Sequence, residues 1–208
     1  MTGRGYIKIC GLTRPHAIRA ALDAGADAVG FVFAPSPREV SPEQALPLVD
    51  IARGRADIVA VMLHPAAWLV DMVLGLVQPD ILQTDAEDYA SIELPPGVQA
   101  LPVCRNVRRL PRAGEHPRVL VEGAVSGAGA VADWTFAQRA ARTHDVVLAG
   151  GLNPDNVGTA IAAVHPFGVD VSSGVEAARG QKDPALIRAF IANARAAYDQ
   201  LEAEEAQS

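Results

Sequence analysis

Residues 146–174, VVLAGGLNPDNVGTAIAAVHPFGVDVSSG, decide the fold. Two short apolar runs, Val146–Ala149 and Val169–Ser172, have the length and the β-branched composition of buried strands. Between them, a helix is predicted over Pro154–Val164, because Asn153 offers a capping side chain immediately before a proline at the first helical position. A strand, a helix and a second strand in this order indicate a crossover between two parallel strands.

The same alternation extends over the whole chain. Further strands are predicted at Tyr6–Cys10, Ala28–Phe33, Ile58–Leu63, Ile81–Gln83, Ala100–Cys104 and Val119–Glu122. Further helices are predicted at Pro15–Ala24, Pro42–Ala52, Ala66–Leu76, Trp134–Arg142 and Pro184–Leu201, and look short or missing after the fourth and fifth strands. Eight strands that each lead into a crossover predict a parallel α/β fold, a small (β/α)8 or TIM barrel. A doubly wound open sheet is the alternative, and the strand count and the lack of an early G-x-G-x-x-G motif disfavour it.

Composition narrows the class of protein. The chain has 208 residues, of which 50% are apolar and 20% charged, so it can bury a sizeable core and is not disordered. Its net charge of −6 argues against broad attraction to nucleic acid or anionic membranes. No composition break divides residues 1–208, which predicts one domain, with an acidic tail at residues 202–208 that is expected to fray. No membrane span or signal peptide is indicated, and two cysteines form no disulfide framework, so a reducing cytoplasm is predicted.

Cys10 is the first candidate functional residue. Chemistry in such barrels lies at the carboxyl ends of the strands, and Cys10 ends the first of them. Lys8 shares a strand face with Cys10, one layer below, and its ammonium group would favour the thiolate. The alternative is a small buried apolar residue, which is what most free cysteines are. Cys104, at the end of the fifth strand, is assigned that structural role.

Two glycine-rich strand ends predict a phosphate site. Gly150-Gly151 follows the seventh strand and Ser173-Gly174 follows the eighth, and the loops after these strands usually bind phosphate in barrel enzymes. The alternative is that the glycines only make tight turns. A third loop, around Gly127 after the sixth strand, could close over a ligand.

Charged residues supply candidates for acid catalysis and substrate binding. Glu122 ends the sixth strand within an apolar run, where burial would raise its pKa and suit it to act as a general acid, and Asp85 is the rival carboxylate. The alternative for Glu122 is an exposed residue at the end of a strand. Arg38 could bind a substrate carboxylate, although its spacing alone favours a solvated surface arginine. Asp170 and Glu176 could bond sugar hydroxyls or hold the loops. The histidines have no metal-ligand spacing, so no metal is expected.

Several of these segments together resemble the phosphoribosylanthranilate isomerase family, over nearly the whole chain. The most specific segment is Lys8–Thr13, KICGLT. The others are Gly30–Phe33, Ser36–Arg38, Leu148–Leu152 and Val169–Glu176.

The resemblance implies a cofactor-free Amadori rearrangement of a phosphosugar in tryptophan biosynthesis. It implies that Cys10 is the general base, that Arg38 binds the anthranilate carboxylate, and that the two glycine loops bind the phosphate. Glu122 stands where the family has its aspartate general acid. A second departure is at Leu82–Asp85, LQTD, where the family usually has Gln-Leu-His-Gly.

Two rival functions remain at this stage. One is an isomerase of a related aminoaldose phosphate, as in histidine biosynthesis, but that family uses aspartates at the ends of the first and fifth strands, where this chain has Cys10 and Cys104. The other is a barrel that binds phosphosugars without catalysis. The expected partner is a small phosphosugar, with no nucleic acid or membrane, and the chain is expected to be a monomer or a homodimer.

Overall fold

Eight parallel strands close into a barrel in the computed structural model, which describes residues 5–105, 110–112, 114–122 and 134–207. The strands are β1 Tyr6–Cys10, β2 Ala28–Val32, β3 Asp57–Val61, β4 Ile81–Asp85, β5 Gln99–Arg105, β6 Arg118–Glu122, β7 Asp145–Leu148 and β8 Gly168–Val171. Each strand pairs with its neighbour in chain order. The barrel closes where β8 pairs with β1, and in this pairing Lys8 lies opposite Asp170. The predicted (β/α)8 barrel is therefore confirmed.

Six helices surround the barrel. They are α1 Pro15–Asp23, α2 Pro42–Ala52, α3 Ala67–Leu76, α4 Trp134–Ala140, α5 Val157–Val164 and α6 Pro184–Glu205. A single 3₁₀ turn, Ala86–Ala90, follows β4, as the weak helical signal there indicates. None of the six helices, over the residues that the structure describes, is long and apolar enough to cross a membrane.

Two helix ends differ by three residues or more from the sequence-based prediction. The fifth helix begins at Val157 rather than Pro154, because the Asn153 side chain accepts hydrogen bonds from the amides of Asp155 and Asn156 and so closes a separate turn. The last helix continues to Glu205, with a bond from Gln200 to Glu204 along its exposed face, so residues 202–205 are helical.

The barrel interior is apolar at one end and charged at the other. Tyr6, at the start of β1, packs in an inner cluster with Phe167, and the Arg118 guanidinium lies over both rings. Further up the same face of β1, Lys8 and Cys10 reach the opposite end of the barrel, while Ile7 and Ile9 pack outward against the helices. The strand alternation thus collects polar side chains at the carboxyl ends of the strands.

A short antiparallel hairpin follows β8. It consists of β9 Glu176–Ala178 and β10 Gln181–Lys182, and the sequence analysis did not predict it.

Candidate active site

A cavity of about 180 Å³ opens at the carboxyl ends of the strands. Seven of the predicted site residues line it: Cys10, Arg38, Glu122, Gly150, Gly151, Asp170 and Ser173. Glu176 adjoins it by bonding Arg38, and Gly174 follows Ser173 in the chain. Gly127 lies outside the described residues. A larger groove, of about 880 Å³, lies outside the barrel mouth and contains none of these residues.

Cys10 lies above a buried ion pair. The Lys8 ammonium is fully buried and donates to Asp170 Oδ1 at 2.8 Å. Burial alone would lower the pKa of Lys8, but Asp170 and Cys10 together raise it, so the group stays charged. On the neighbouring strand, Gly30 is paired with Cys10, and a Cβ there would lie 3.1 Å from the Cys10 sulfur. The glycine thus leaves room for the thiol.

The Cys10 thiol is less acidic than the sequence analysis expected. Burial raises its pKa, and the nearby ammonium groups of Lys8 and Lys182 oppose that effect only in part. The Lys8 charge is shared with Asp170, which itself raises the pKa of Cys10. The free protein therefore holds the thiol largely protonated at neutral pH.

Two carboxylates flank one arginine across the cavity from Cys10. Glu122 and Asp85 are buried at the ends of β6 and β4. Between them, Arg105 ends β5, contacts Asp85 through Nη1 and lies with Nη2 3.5 Å from Glu122 Oε2. Sequence reasoning missed Arg105 because the strand was predicted to end one residue earlier. A basic residue directly after a predicted barrel strand was the available signal.

Arg38 is held by Glu176. Its Nε and Nη2 donate to the two Glu176 oxygens at 2.6 and 2.9 Å. Burial alone would raise the pKa of Glu176, but Arg38 and Lys182 hold it at about 2. Nη1 of Arg38 takes no part in this pair.

Lys182 is buried, although it lies in a polar stretch of the sequence, Gly180–Asp183. Its ammonium group donates to Glu176 Oε1 at 2.8 Å and to the Ser172 carbonyl at 2.9 Å. The Ser172 hydroxyl in turn donates to the carbonyl of Cys10. The hairpin of β9 and β10 brings Lys182 back to the barrel mouth, and no local signal showed that it would.

Gln83 is a further residue that the sequence analysis did not single out. Its side chain lines the cavity, and its buried Oε1 has no hydrogen-bond partner among the described residues. Buried acceptors are nearly always paired, so a donor on a bound ligand would satisfy this oxygen.

The two glycine loops have the backbone form of an anion site. Gly150 and Gly151 both adopt left-handed conformations, with φ of 88° and 67°, and consecutive turns of this kind form concave sets of amides. None of the backbone hydrogen bonds between described residues uses the amides of Gly151, Leu152, Ser173 or Gly174. These amides are available to an anion.

The loops after β7 and β8 also touch directly. A Cβ on Gly174 would collide with the carbonyl oxygen of Leu152. Gly174→Ala is therefore expected to force the loops apart at a cost of about 1–3 kcal/mol. We expect KM for a phosphorylated substrate to rise about ten- to a hundredfold, measured by steady-state kinetics. Gly158→Ala is the control, because its Cβ would make only an ordinary contact at 3.8 Å, and an unchanged KM in Gly174→Ala would contradict this geometry.

The Glu176 cluster predicts a pH-dependent stability. Because the folded-state pKa of Glu176 is about 2, below its ordinary value, its stabilisation is present above about pH 4.5 and is lost as the pH falls towards 2. Glu176→Gln should destabilise the protein by about 3 kcal/mol at pH 7, since it leaves two cations without their buried partner. Thermal unfolding at several pH values should show that the difference in stability between wild type and Glu176→Gln becomes smaller below pH 4.5. A stability difference that does not depend on pH would contradict this prediction. So would an equal loss of stability in the exposed control Glu93→Gln.

Comparison with known proteins agrees with this geometry. The family model described as N-(5'phosphoribosyl)anthranilate (PRA) isomerase matches residues 7–193. The N-(5'-phosphoribosyl)anthranilate isomerase of Afipia carboxidovorans is 40% identical over 92% of this chain and 89% of its own. That of Dechloromonas aromatica is 39% identical over 94% of this chain and 98% of its own.

Solved structures show the same relationship. TrpF from Jonesia denitrificans superposes with a TM-score of 0.79 and 36% identity, over 93% of this chain and 98% of that one. A phosphoribosyl anthranilate isomerase in complex with reduced 1-(o-carboxyphenylamino)-1-deoxyribulose 5-phosphate has a TM-score of 0.76 and 31% identity, over 92% and 98%. A family model that spans nearly the whole barrel, together with these relatives, places the chain in the N-(5'-phosphoribosyl)anthranilate isomerase family.

Proposed function

We propose that the protein converts N-(5'-phosphoribosyl)anthranilate to 1-(2-carboxyphenylamino)-1-deoxyribulose 5-phosphate in tryptophan biosynthesis, with Glu122 as general acid and Cys10 as general base. Membership of the isomerase family supports the reaction. The observation that carries the residue assignment is that Cys10, Glu122 and both glycine loops line one cavity. Acid and base thus approach a substrate anchored by its phosphate from opposite walls.

The steps from the closed ring to the enamine need one proton given to the substrate and one proton taken from it. Glu122 protonates the ribose ring oxygen as the bond from that oxygen to C1 breaks, and the anthranilate nitrogen supplies the electron pair that forms the iminium. The Cys10 thiolate removes the proton from C2, and the electrons of that bond form the enamine. Return of a proton to C1 and loss of the proton on the C2 hydroxyl give the aminoketose. General acid and base catalysis each typically contribute about 10²–10⁴-fold.

The remaining polar groups bind and orient the substrate in this proposal. The amides of the loops at Gly150-Gly151 and Ser173-Gly174 hold the phosphate. Arg38 contacts the anthranilate carboxylate through Nη1, since its other nitrogens hold Glu176. Asp170 and Glu176 act by fixing Lys8 and Arg38, because their oxygens already accept bonds from these cations.

The direct test is turnover of freshly prepared phosphoribosylanthranilate, followed by loss of anthranilate fluorescence. Turnover with a substrate-dependent rate supports the isomerase. Tight binding of the product analogue, reduced 1-(o-carboxyphenylamino)-1-deoxyribulose 5-phosphate, without turnover would instead indicate a non-catalytic phosphosugar-binding protein. Turnover of a histidine-pathway aminoaldose phosphate alone would indicate the related isomerase.

The oligomeric state and the cellular location of the protein are inferred from one relative and from the two cysteines. The phosphoribosyl anthranilate isomerase of Thermotoga maritima is dimeric, and we infer a monomer or a homodimer for this chain. Cys10 and Cys104 are both unpaired, which agrees with a reducing cytoplasm.

A further inference from the structure

Asp85 and Glu122 share one cation, Arg105. Arg105 Nη1 contacts Asp85 Oδ1, while Nη2 lies 3.5 Å from Glu122 Oε2. Asp85 is 3% exposed and Glu122 is 7% exposed, so water screens neither carboxyl group well. The strand pairing fixes the arrangement, because Arg105 lies opposite Glu122 on β6 and β4 runs along the other side of β5.

We propose that Asp85 is a positioning residue that holds Arg105 and neutralises its charge, so that Glu122 can carry a proton at neutral pH. The proposal rests on the proposed role of Glu122 as general acid. An isolated guanidinium 3.5 Å from a buried carboxyl group would stabilise the carboxylate and so work against proton donation. The Asp85 carboxylate opposes that effect by pairing with the same guanidinium.

Within the described ranges, the other charged side chains at the mouth of the barrel have partners of their own. Lys8 is paired with Asp170, and Arg38 and Lys182 are paired with Glu176. From the loop after β3, His64 Nε2 lies 3.3 Å from the second Asp85 oxygen, and His64 Nδ1 lies 2.9 Å from Asp88. Cys10 is the remaining titratable group that lines the cavity among the described residues.

The same geometry argues against Asp85 as the general acid. Asp85 is paired with Arg105, and that guanidinium group favours the ionised form of Asp85, which has no proton to donate. The contribution of Asp85 is instead to counter the charge of Arg105.

Five variants test the proposal by two readouts. The protonation midpoint of Glu122 is followed by NMR in full-length protein labelled with carbon-13 at the glutamate carboxyl group, with Glu122→Gln used to assign the signal. Asp85→Asn should lower the midpoint by about 1–3 pH units, which is the effect of one unopposed cation. Arg105→Gln should raise it, and the double variant Asp85→Asn/Arg105→Gln should return it close to the wild-type value. Asp88→Asn is the control, because it contacts His64 but not Arg105.

Turnover gives the second readout. In the productive state, Glu122 is protonated and Cys10 is ionised. Because burial raises the pKa of Cys10, only a small fraction of the molecules is in this state at neutral pH. That fraction falls about tenfold for each unit by which the pKa of Glu122 falls. Asp85→Asn should therefore lower kcat/KM at pH 7 in proportion to its NMR shift, and the double variant should recover activity.

Each outcome has one meaning. A Glu122 midpoint that does not move, or that rises, in Asp85→Asn overturns the proposal. Loss of turnover in Asp85→Asn without any change in the midpoint would make Asp85 the acid itself. If Glu122→Gln remains active, the proposed acid role fails, whereas the NMR midpoints still decide whether Asp85 neutralises Arg105. Thermal unfolding of all variants separates these results from misfolding, and recovery in the double variant excludes general damage.

Discussion

Cys10→Ala is expected to lower kcat by about 10²–10⁴-fold with little change in KM. The alanine removes the only thiol that lines the cavity in the described part of the chain, and it leaves the Lys8–Asp170 pair and the glycine loops intact. Substrate should therefore bind nearly as before, but no group is left to take the proton from C2. Steady-state kinetics with phosphoribosylanthranilate measure both parameters.

The chain supplies a matched control in its second cysteine. Cys104 is also buried, near the end of β5, but it packs in the outer cluster between the sheet and the helices. Cys104→Ala should keep wild-type kcat and lose only a little stability. Equal losses of kcat in the two variants, or unchanged turnover in Cys10→Ala, would remove Cys10 from the role of base.

Glu122→Gln is expected to lower kcat by a similar factor, about 10²–10⁴-fold. Glutamine has nearly the same shape and can still accept a bond from Arg105, but its amide cannot donate a proton to the ribose ring oxygen at neutral pH. The expected loss is therefore in kcat rather than in KM or in thermal stability. Pre-steady-state mixing experiments should show that the substrate binds but that its ribose ring stays closed.

Glu122→Asp adds a geometric test of the same group. Aspartate retains the acid but shortens the stem by one methylene group, on a backbone held in register with Arg105. Activity between those of wild type and Glu122→Gln would show that both chemistry and reach matter. Full turnover in Glu122→Gln would require another acid.

Much of this site follows from local patterns. Strand alternation put Lys8 and Cys10 on one face, and the order of the strands brought the glycine loops after β7 and β8 to the same end as Cys10. These inferences depend only on neighbours in the chain and on the geometry common to parallel barrels. They are the features that a sequence can predict.

What the sequence did not predict depends on contacts between distant residues. Lys182 is six residues from Glu176, and only the hairpin of β9 and β10 turns it inward to a buried position. Arg105 is polar, and its proximity to Glu122 follows from the register of β5 and β6, which no local pattern encodes. The raised pKa of Cys10 likewise reflects its burial and the pairing of Lys8 with Asp170.

The pairing of Lys8 with Asp170 has a consequence for when the enzyme becomes competent during synthesis. The two residues are separated by 162 positions, and they close the seam between β1 and β8. Until β8 has left the ribosome, the ammonium of Lys8 has no buried partner, and Cys10 stands at the edge of an open sheet. The part of the site on β1, the first strand to be synthesised, is therefore complete only after β8 has been synthesised. A nascent chain that ends before Asp170 should bind neither phosphosugar nor phosphate.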